Sequence, residues 1–412
     1  VTTGAGENVG VGYKAGIALT SSTASTAIGS DALFTETGGN GSTAVGRTAL
    51  NKQNVTSGTT GNTGIGWRAG YSNVTGTNNT YIGSDAGFGV TDNSNSANTG
   101  VGKDALLAIT TGASNTVIGA LAGDALTTGG QNVSVGSHAL GTSTDVDGAI
   151  AIGYAAMNAN ADSDADGTVA IGKTALEDLT SGIGNVAIGF ETLQQEDDGD
   201  YNTAVGHQAL TAQTGVSGEV GNTAVGFKAG FNITTGIENT IVGYTALYTD
   251  DVGKGSVAIG RDALFSQNIA STAYTGNTGL GYQAGYYNVT GTNDTYLGYH
   301  AGFGASGNSN SNNTGVGKDA LLAVTTGDYN TVMGASAGDS ITDGTLNVII
   351  GEAAGDATTS VQGATIIGHN AARANMTTGA NNTVAIGKDS LKALTTGAGN
   401  TAVGYAAGDA IV

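Results

Sequence analysis

Apolar residues in this chain do not follow a helical spacing. They recur in a short phrase, of which Asn202-Thr203-Ala204-Val205-Gly206 is one instance, closed by a glycine that serves as the anchor of each repeat. There are 23 anchors between Gly12 and Gly404, and 15 of the 22 gaps between them are 17 residues long, the rest being 19, 20 or 21. A fixed period of this length means stacked coils, each one supersecondary unit. The residue before the anchor is aliphatic in every coil, and three before it stands Thr, Val or Ile. These β-branched positions alternate with the one between them, which predicts a short strand with the β-branched pair buried. Three after the anchor is Ala in 21 coils, followed mostly by Leu or Gly, a second strand or bend against the first.

Two turns complete the coil. Four before the anchor is Asn in 15 coils, which reads as a turn residue. Seven before it is Gly in 12 of the 15 regular coils, which predicts a turn requiring positive φ. The predicted fold is all-β: a repetitive solenoid of parallel strands, helices not expected because Gly recurs too often. At a rise of about 4.8 Å per coil, 23 coils would make a rod about 110 Å long.

The repeat also sets the domain organisation. Residues 1–412 read as a single repetitive domain containing a duplication of about 215 residues, roughly 1–197 and 198–412. Gly61-Asn62-Thr63-Gly64-Ile65-Gly66 returns as Gly276-Asn277-Thr278-Gly279-Leu280-Gly281, and Asn93-Ser94-Asn95-Ser96 as Asn308-Ser309-Asn310-Ser311. The irregular gaps predict loops two to four residues longer, not linkers.

The position two before the anchor would then point away from the core. It is nevertheless Ala, Gly, Val or Ile in nearly every coil. A long apolar stripe on a solvent face calls for a partner, so Ala44, Tyr81, Ala204, Ala258, Tyr296 and Ala402 are expected at an interface between identical chains. Tyr81 lies between Gly64 and Gly100 in the stack, and Tyr296 between Gly279 and Gly315, as rings with room made for them.

Composition narrows the function. Pro is absent, which suits long hydrogen-bonded ladders. Without Cys there is no disulfide framework or thiolate metal site. A net charge of -20 argues against a general basic surface for nucleic acid or anionic membrane. No apolar run of 18 residues predicts a membrane span, and no signal peptide is visible. The chain reads as a mature piece or a segment of something longer.

Ser256-Val257-Ala258-Ile259-Gly260 and Val169-Ala170-Ile171-Gly172 resemble the Asn-Ser-Val-Ala-Ile-Gly-x-x-Ser repeat of trimeric autotransporter adhesin heads. Similar repeats occur in phage tail-fibre-like proteins. The resemblance covers the whole chain, although the coil is longer than that family's usual one. It implies a left-handed parallel β-roll, an intertwined or side-by-side homotrimer, and an extracellular place on a cell surface or virion. It does not separate adhesin from phage fibre, identify a receptor or show whether filaments extend end to end.

Few residues suggest chemistry. Trp67, Tyr71 and Phe88, and in the second copy Tyr282, Tyr286 and Phe303, form aromatic patches that are either packing or a glycan surface. Asp162, Asp164 and Asp166 imitate half of a Ca2+ loop, but Lys173 stands where a bidentate Glu is needed, so a solvated acidic loop is the alternative. His138, His207, His300 and His369 lie in different coils. Fifteen coils carry Thr three before the anchor, a row that would suit ice binding if it faced out. The expected function is a non-enzymatic fibre or adhesin shaft mediating attachment or projecting a binding tip; the alternative is a glycan-binding module using aromatic patches and irregular loops. No cofactor is expected.

Overall fold

The computed structural model describes residues 6–90, 93–214, 217–270 and 274–411. Two compact units share the chain, Val1–Asn202 with Thr214–Glu219 and Thr203–Gln213 with Val220–Val412. Each is a parallel β-solenoid. Among the described residues the first stacks eleven three-residue strands, from Val9–Val11 to Val186–Ile188, and the second twelve, from Thr203–Val205 to Thr401–Val403. All 23 strands fall on the three residues before an anchor. Register follows the anchors even where a gap is long: Val257 pairs with Thr278 across a 21-residue gap. Extra residues are taken up in loops, and among the described residues the helical content is two 3₁₀ turns, Ser163–Ala165 and Thr378–Ala380.

The faces of the strand are the reverse of the sequence expectation. The middle residue is the buried one in 21 of the 23 strands, all but the first and the last, and the residues on either side point outward. Ala44, Tyr81, Ala204, Ala258 and Tyr296 have no exposed surface within their own chain, and Ala402 is half-buried in the last coil. The five enclosed side chains have no surface to offer another copy, so the interface expected there is corrected: the stripe is the solenoid's own core. A three-residue strand sends one side chain inward, and the opposing wall is close. A Cβ on Gly64 would come within 2.8 Å of Leu50 Cγ. The interior therefore selects small residues in the middle of the strand.

The bend after the strand supplies the rest of the core. The residues two and four after the anchor have positive φ in all 23 coils. Four after stands Leu in eleven of them, with φ between 47° and 55° for Leu33, Leu50 and Leu106. A left-handed backbone costs a non-glycine residue roughly 1–2 kcal/mol, whereas burying Leu contributes roughly 1.5–3 kcal/mol. Each of these leucines is fully buried, so burial wins. The anchor is more restrictive. Gly46 has φ 138°, and a Cβ there would meet the Gly66 carbonyl oxygen at 2.3 Å. Contact between successive anchors explains a glycine at every repeat. Except at Gly397, which has φ 94°, the glycine seven before the anchor does not have the expected positive φ and is kept by crowding instead. A Cβ on Gly112 would lie 2.3 Å from the Gly129 carbonyl oxygen.

Nor is the asparagine four before the anchor a turn residue. It forms a buried ladder. Asn98 Oδ1 accepts from the backbone N–H of Asn115 at 2.9 Å, and Asn98 Nδ2 donates to the Gly112 carbonyl at 2.9 Å. Asn115 repeats both bonds to Asn132 and Gly129. Each amide satisfies backbone groups of the next coil that would otherwise be buried and unpaired, a loss of about 1–3 kcal/mol apiece.

Interior volume is shared between positions. Tyr81 is accompanied by Gly87 four after its anchor, where a Cβ would meet the tyrosine ring at 2.3 Å. Tyr296 and Gly302 repeat the arrangement. Val117, Val332 and Ile349 likewise accompany Gly123, Gly338 and Gly355, whereas Ala204 accompanies Leu210. Room for the rings is made inside one chain. Their hydroxyls donate to Asn95 and Asn310.

Candidate interaction surfaces

Turning the strand over moves its aliphatic row to the surface. The residue before the anchor is buried in none of the 23 coils; twelve are exposed, from 36% for Val242 to 67% for Val403, and the others are half-buried. Beside it runs the outward Thr row, broken by Val or Ile in eight coils. Each unit thus presents a two-lane strip, one lane aliphatic and one mostly Thr, repeating once per coil. Sequence reasoning found this row and misplaced it, because both alternating sets are apolar.

Aromatic residues form rows one and five positions after the anchor. In the second unit Phe231, Tyr248, Phe265, Tyr286 and Phe303 stack in succession, with centroids 5.1 to 5.4 Å apart. A parallel row runs through His207, Phe227 and Tyr244, then Arg261, then Tyr282 and Tyr299. His300 touches both rows, 3.9 Å from Tyr299 and 5.0 Å from Phe303. Tyr282, Tyr286 and Phe303 are therefore brought onto one surface. Their ring faces are largely turned to one another, each stacked pair contributing about 0.5–1.5 kcal/mol. The signal for these rows was available as aromatics recurring at two fixed offsets from the anchor.

In the first unit Trp67, Tyr71 and Phe88 also come together. Tyr71 and Phe88 stack at 5.3 Å. The Arg68 guanidinium lies 3.8 Å from the Trp67 ring and 4.7 Å from Phe88, and its Nε meets the Asp85 carboxylate at 2.6 Å. Two open hollows adjoin this cluster. One, of 270 Å³, is lined by Arg47, Thr48, Trp67, Arg68, Tyr71 and Phe88. The other, of 370 Å³, lies across the Tyr71–Phe88 pair and includes Lys52 and Ser72.

Acidic residues do not gather as the Ca2+ reading needs. Asp162 Oδ1 accepts from the Asp164 backbone N–H at 3.0 Å, and Asp166 Oδ1 from that of Asp147 at 2.6 Å. The duplicate loop makes the same 3₁₀ turn at Thr378–Ala380 with no acid, Asn381 Oδ1 accepting where Asp166 does, so the turn does not require carboxylates. Among the described residues the acids whose oxygens converge within 4.8 Å are Glu196, Asp197 and Asp198. Glu196 is already committed: it accepts from the Gly199 N–H at 2.8 Å, and burial pushes its carboxyl up to about 7.

Other buried carboxylates hold the coils. Glu36 accepts from the Gly39 N–H and from Gln53 Nε2, both at 2.7 Å. In the second copy Asp250, one carbon shorter, accepts from the Gly253 N–H at 3.2 Å and Gln267 Nε2 at 2.6 Å. Sequence reasoning missed these acids, since nothing local marks them as interior. No helix among the described residues is long and apolar enough to cross a membrane. No family model matches the chain, and comparison with curated proteins gave no match.

Proposed function

We propose that this chain is a non-enzymatic fibre or adhesin shaft, extracellular on a cell surface or virion, and that three copies pack through their outward strips. The observation that supports the reading is the aliphatic row, which among the described residues is exposed in twelve coils and buried in none. Fully burying an exposed side chain of this size contributes about 1.5–3 kcal/mol; these side chains are at most 67% exposed, so each adds a part of that, and the row recurs in every coil. Its regular spacing is matched by a second copy of itself, which has the same period. The resemblance to adhesin-head and tail-fibre repeats points to the same assembly.

Ile118→Asp combined with Val242→Asp tests this. Sedimentation of the unmutated chain should give a trimer, and of the double variant a monomer with unchanged β-sheet circular dichroism. A stable monomer for the unmutated chain would overturn the proposal. If that monomer also showed thermal hysteresis, the Thr and aliphatic lanes would be an ice-binding face, for which the outward Thr row is correctly oriented.

A second reading is favoured by the hollows beside Trp67, where hydroxyls, cations and aromatic rings converge. There the solenoid serves as a glycan-binding module, and the shaft itself makes the attachment.

A further inference from the structure

The duplication offers an internal comparison. The aromatic frame is kept in both copies: Trp67, Tyr71 and Phe88 correspond to Tyr282, Tyr286 and Phe303. The charges around it are not kept. Lys52 becomes Ser266, Arg68 becomes Gln283 and Thr48 becomes Asp262. Arg47 becomes Arg261, but Arg261 is already used. It pairs with Asp262 at 3.4 Å and lies 5.3 and 5.8 Å from the Tyr244 and Tyr282 rings.

In the first copy Arg47 faces open space. The chain has 13 Lys and Arg against 33 acidic residues, yet Arg47, Lys52 and Arg68 all line the two adjoining hollows, and no carboxylate lines either. Asp85, only 6% exposed, lies behind Arg68 and balances it. Arg47 is exposed, with no carboxylate within ion-pair distance among the described residues. Beside it Trp67 is 46% exposed, with the Arg68 guanidinium against its ring.

We propose that this hollow binds an acidic saccharide, with Arg47 taking a sugar carboxylate while the sugar's C–H surface lies on the Trp67 and Tyr71 rings. Guanidinium recognises carboxylate through two parallel N–H donors, and the aromatic surface takes the apolar side of a sugar ring. At 270 Å³ the hollow falls just under the usual range of roughly 300–1,000 Å³ for small-ligand pockets. That suits one sugar unit, with the chain continuing over the Tyr71–Phe88 pair towards Lys52. The proposal rests on the glycan-binding reading and adds the charge of the ligand. It also assigns different ligands to the two copies, since the second frame lacks the free guanidinium.

The only tryptophan is at the site, so its fluorescence reports occupancy. The full chain is titrated with tetramers of glucuronate, mannuronate and galacturonate, with their neutral counterparts, and with inorganic phosphate at matched ionic strength. At least one uronate tetramer should give a saturable change in Trp67 emission, at least tenfold tighter than its neutral counterpart and weakened by salt. Arg47→Gln should reduce that affinity about tenfold without altering the emission of the free protein, whereas Arg261→Gln should leave it unchanged. Equal affinity for neutral tetramers would overturn the charge assignment and leave the glycan reading standing. Absence of any saturable response would overturn both. The same response to phosphate alone would show simple anion capture and overturn the saccharide assignment.

Discussion

Asp294 occupies a rung of the asparagine ladder where the first copy has Asn79. Its carboxylate accepts from the Asn313 backbone N–H and from Asn288 Nδ2, both at 2.8 Å. Burial outweighs these bonds and pushes its carboxyl up to about 7, from an ordinary 3.8. The folded state therefore holds a proton that the unfolded chain releases. The associated stability is complete below about pH 4 and is lost as pH rises through about 7. Glu196, also pushed up to about 7, and Asp250, raised by burial, act in the same direction. Asp294→Asn should stabilise the protein at pH 8 and change little at pH 4, the difference reaching on the order of 4 kcal/mol at most. Denaturant melts of both proteins from pH 4 to 8 measure it. A difference that does not grow with pH would show that Asp294 is ionised in the fold throughout. This acid was invisible in the sequence because Asp and Asn look alike in a row taken for turns. Only the ladder, which places the row inside, gives the substitution its consequence.

Within one coil the core is a balance between the middle strand residue and the residue four after the anchor. In several coils large pairs with small, as Tyr81 with Gly87, or small with large, as Ala204 with Leu210, whereas Ile241 and Leu247 are both large and buried. Tyr81→Ala should leave a cavity and cost roughly 3–5 kcal/mol. Adding Gly87→Leu rebuilds the Ala and Leu combination on a backbone that already has φ 58°, close to that of Leu106. The double variant should regain more than half of the loss, giving a coupling energy well above the roughly 0.5 kcal/mol limit for independent sites. Additive losses in thermal melts would mean that neighbouring coils, not the pair, set the volume. Strand positions, coil count and register were legible because anchors and alternation fix them. Which face is inside was not. Alternation has a period but no sign when Ala, Gly and Ile fill one set and Val, Ile and Thr the other. The width of the coil decides, and it admits the smaller set. The aromatic patches were legible as clusters; the charge difference between copies gained meaning only when Arg47 and Asp85 were placed around Trp67.

The whole chain combines two conditions that pull against each other. Each copy carries a charge of -20, so three copies together carry three times that, and their repulsion opposes assembly most at low ionic strength. Against it stands the aliphatic row, with Ile65, Ile82, Ile118, Leu280, Leu297 and Met333 all exposed in the single chain. If burial of that row holds three chains together, folding and association are linked, and the melting temperature must rise with protein concentration. Screening should add to it: the Debye length shortens from about 30 Å at 0.01 M salt to about 10 Å at 0.1 M, so salt should raise the melting temperature as well. The two effects separate the possibilities. A lone solenoid with the same acidic surface would be stabilised by salt but indifferent to concentration. Melting the chain over a hundredfold range of concentration, at low and moderate salt, therefore tests association without any substitution. A midpoint that follows salt alone would mean that the aliphatic row faces water and that the proposed packing of three chains through it is wrong.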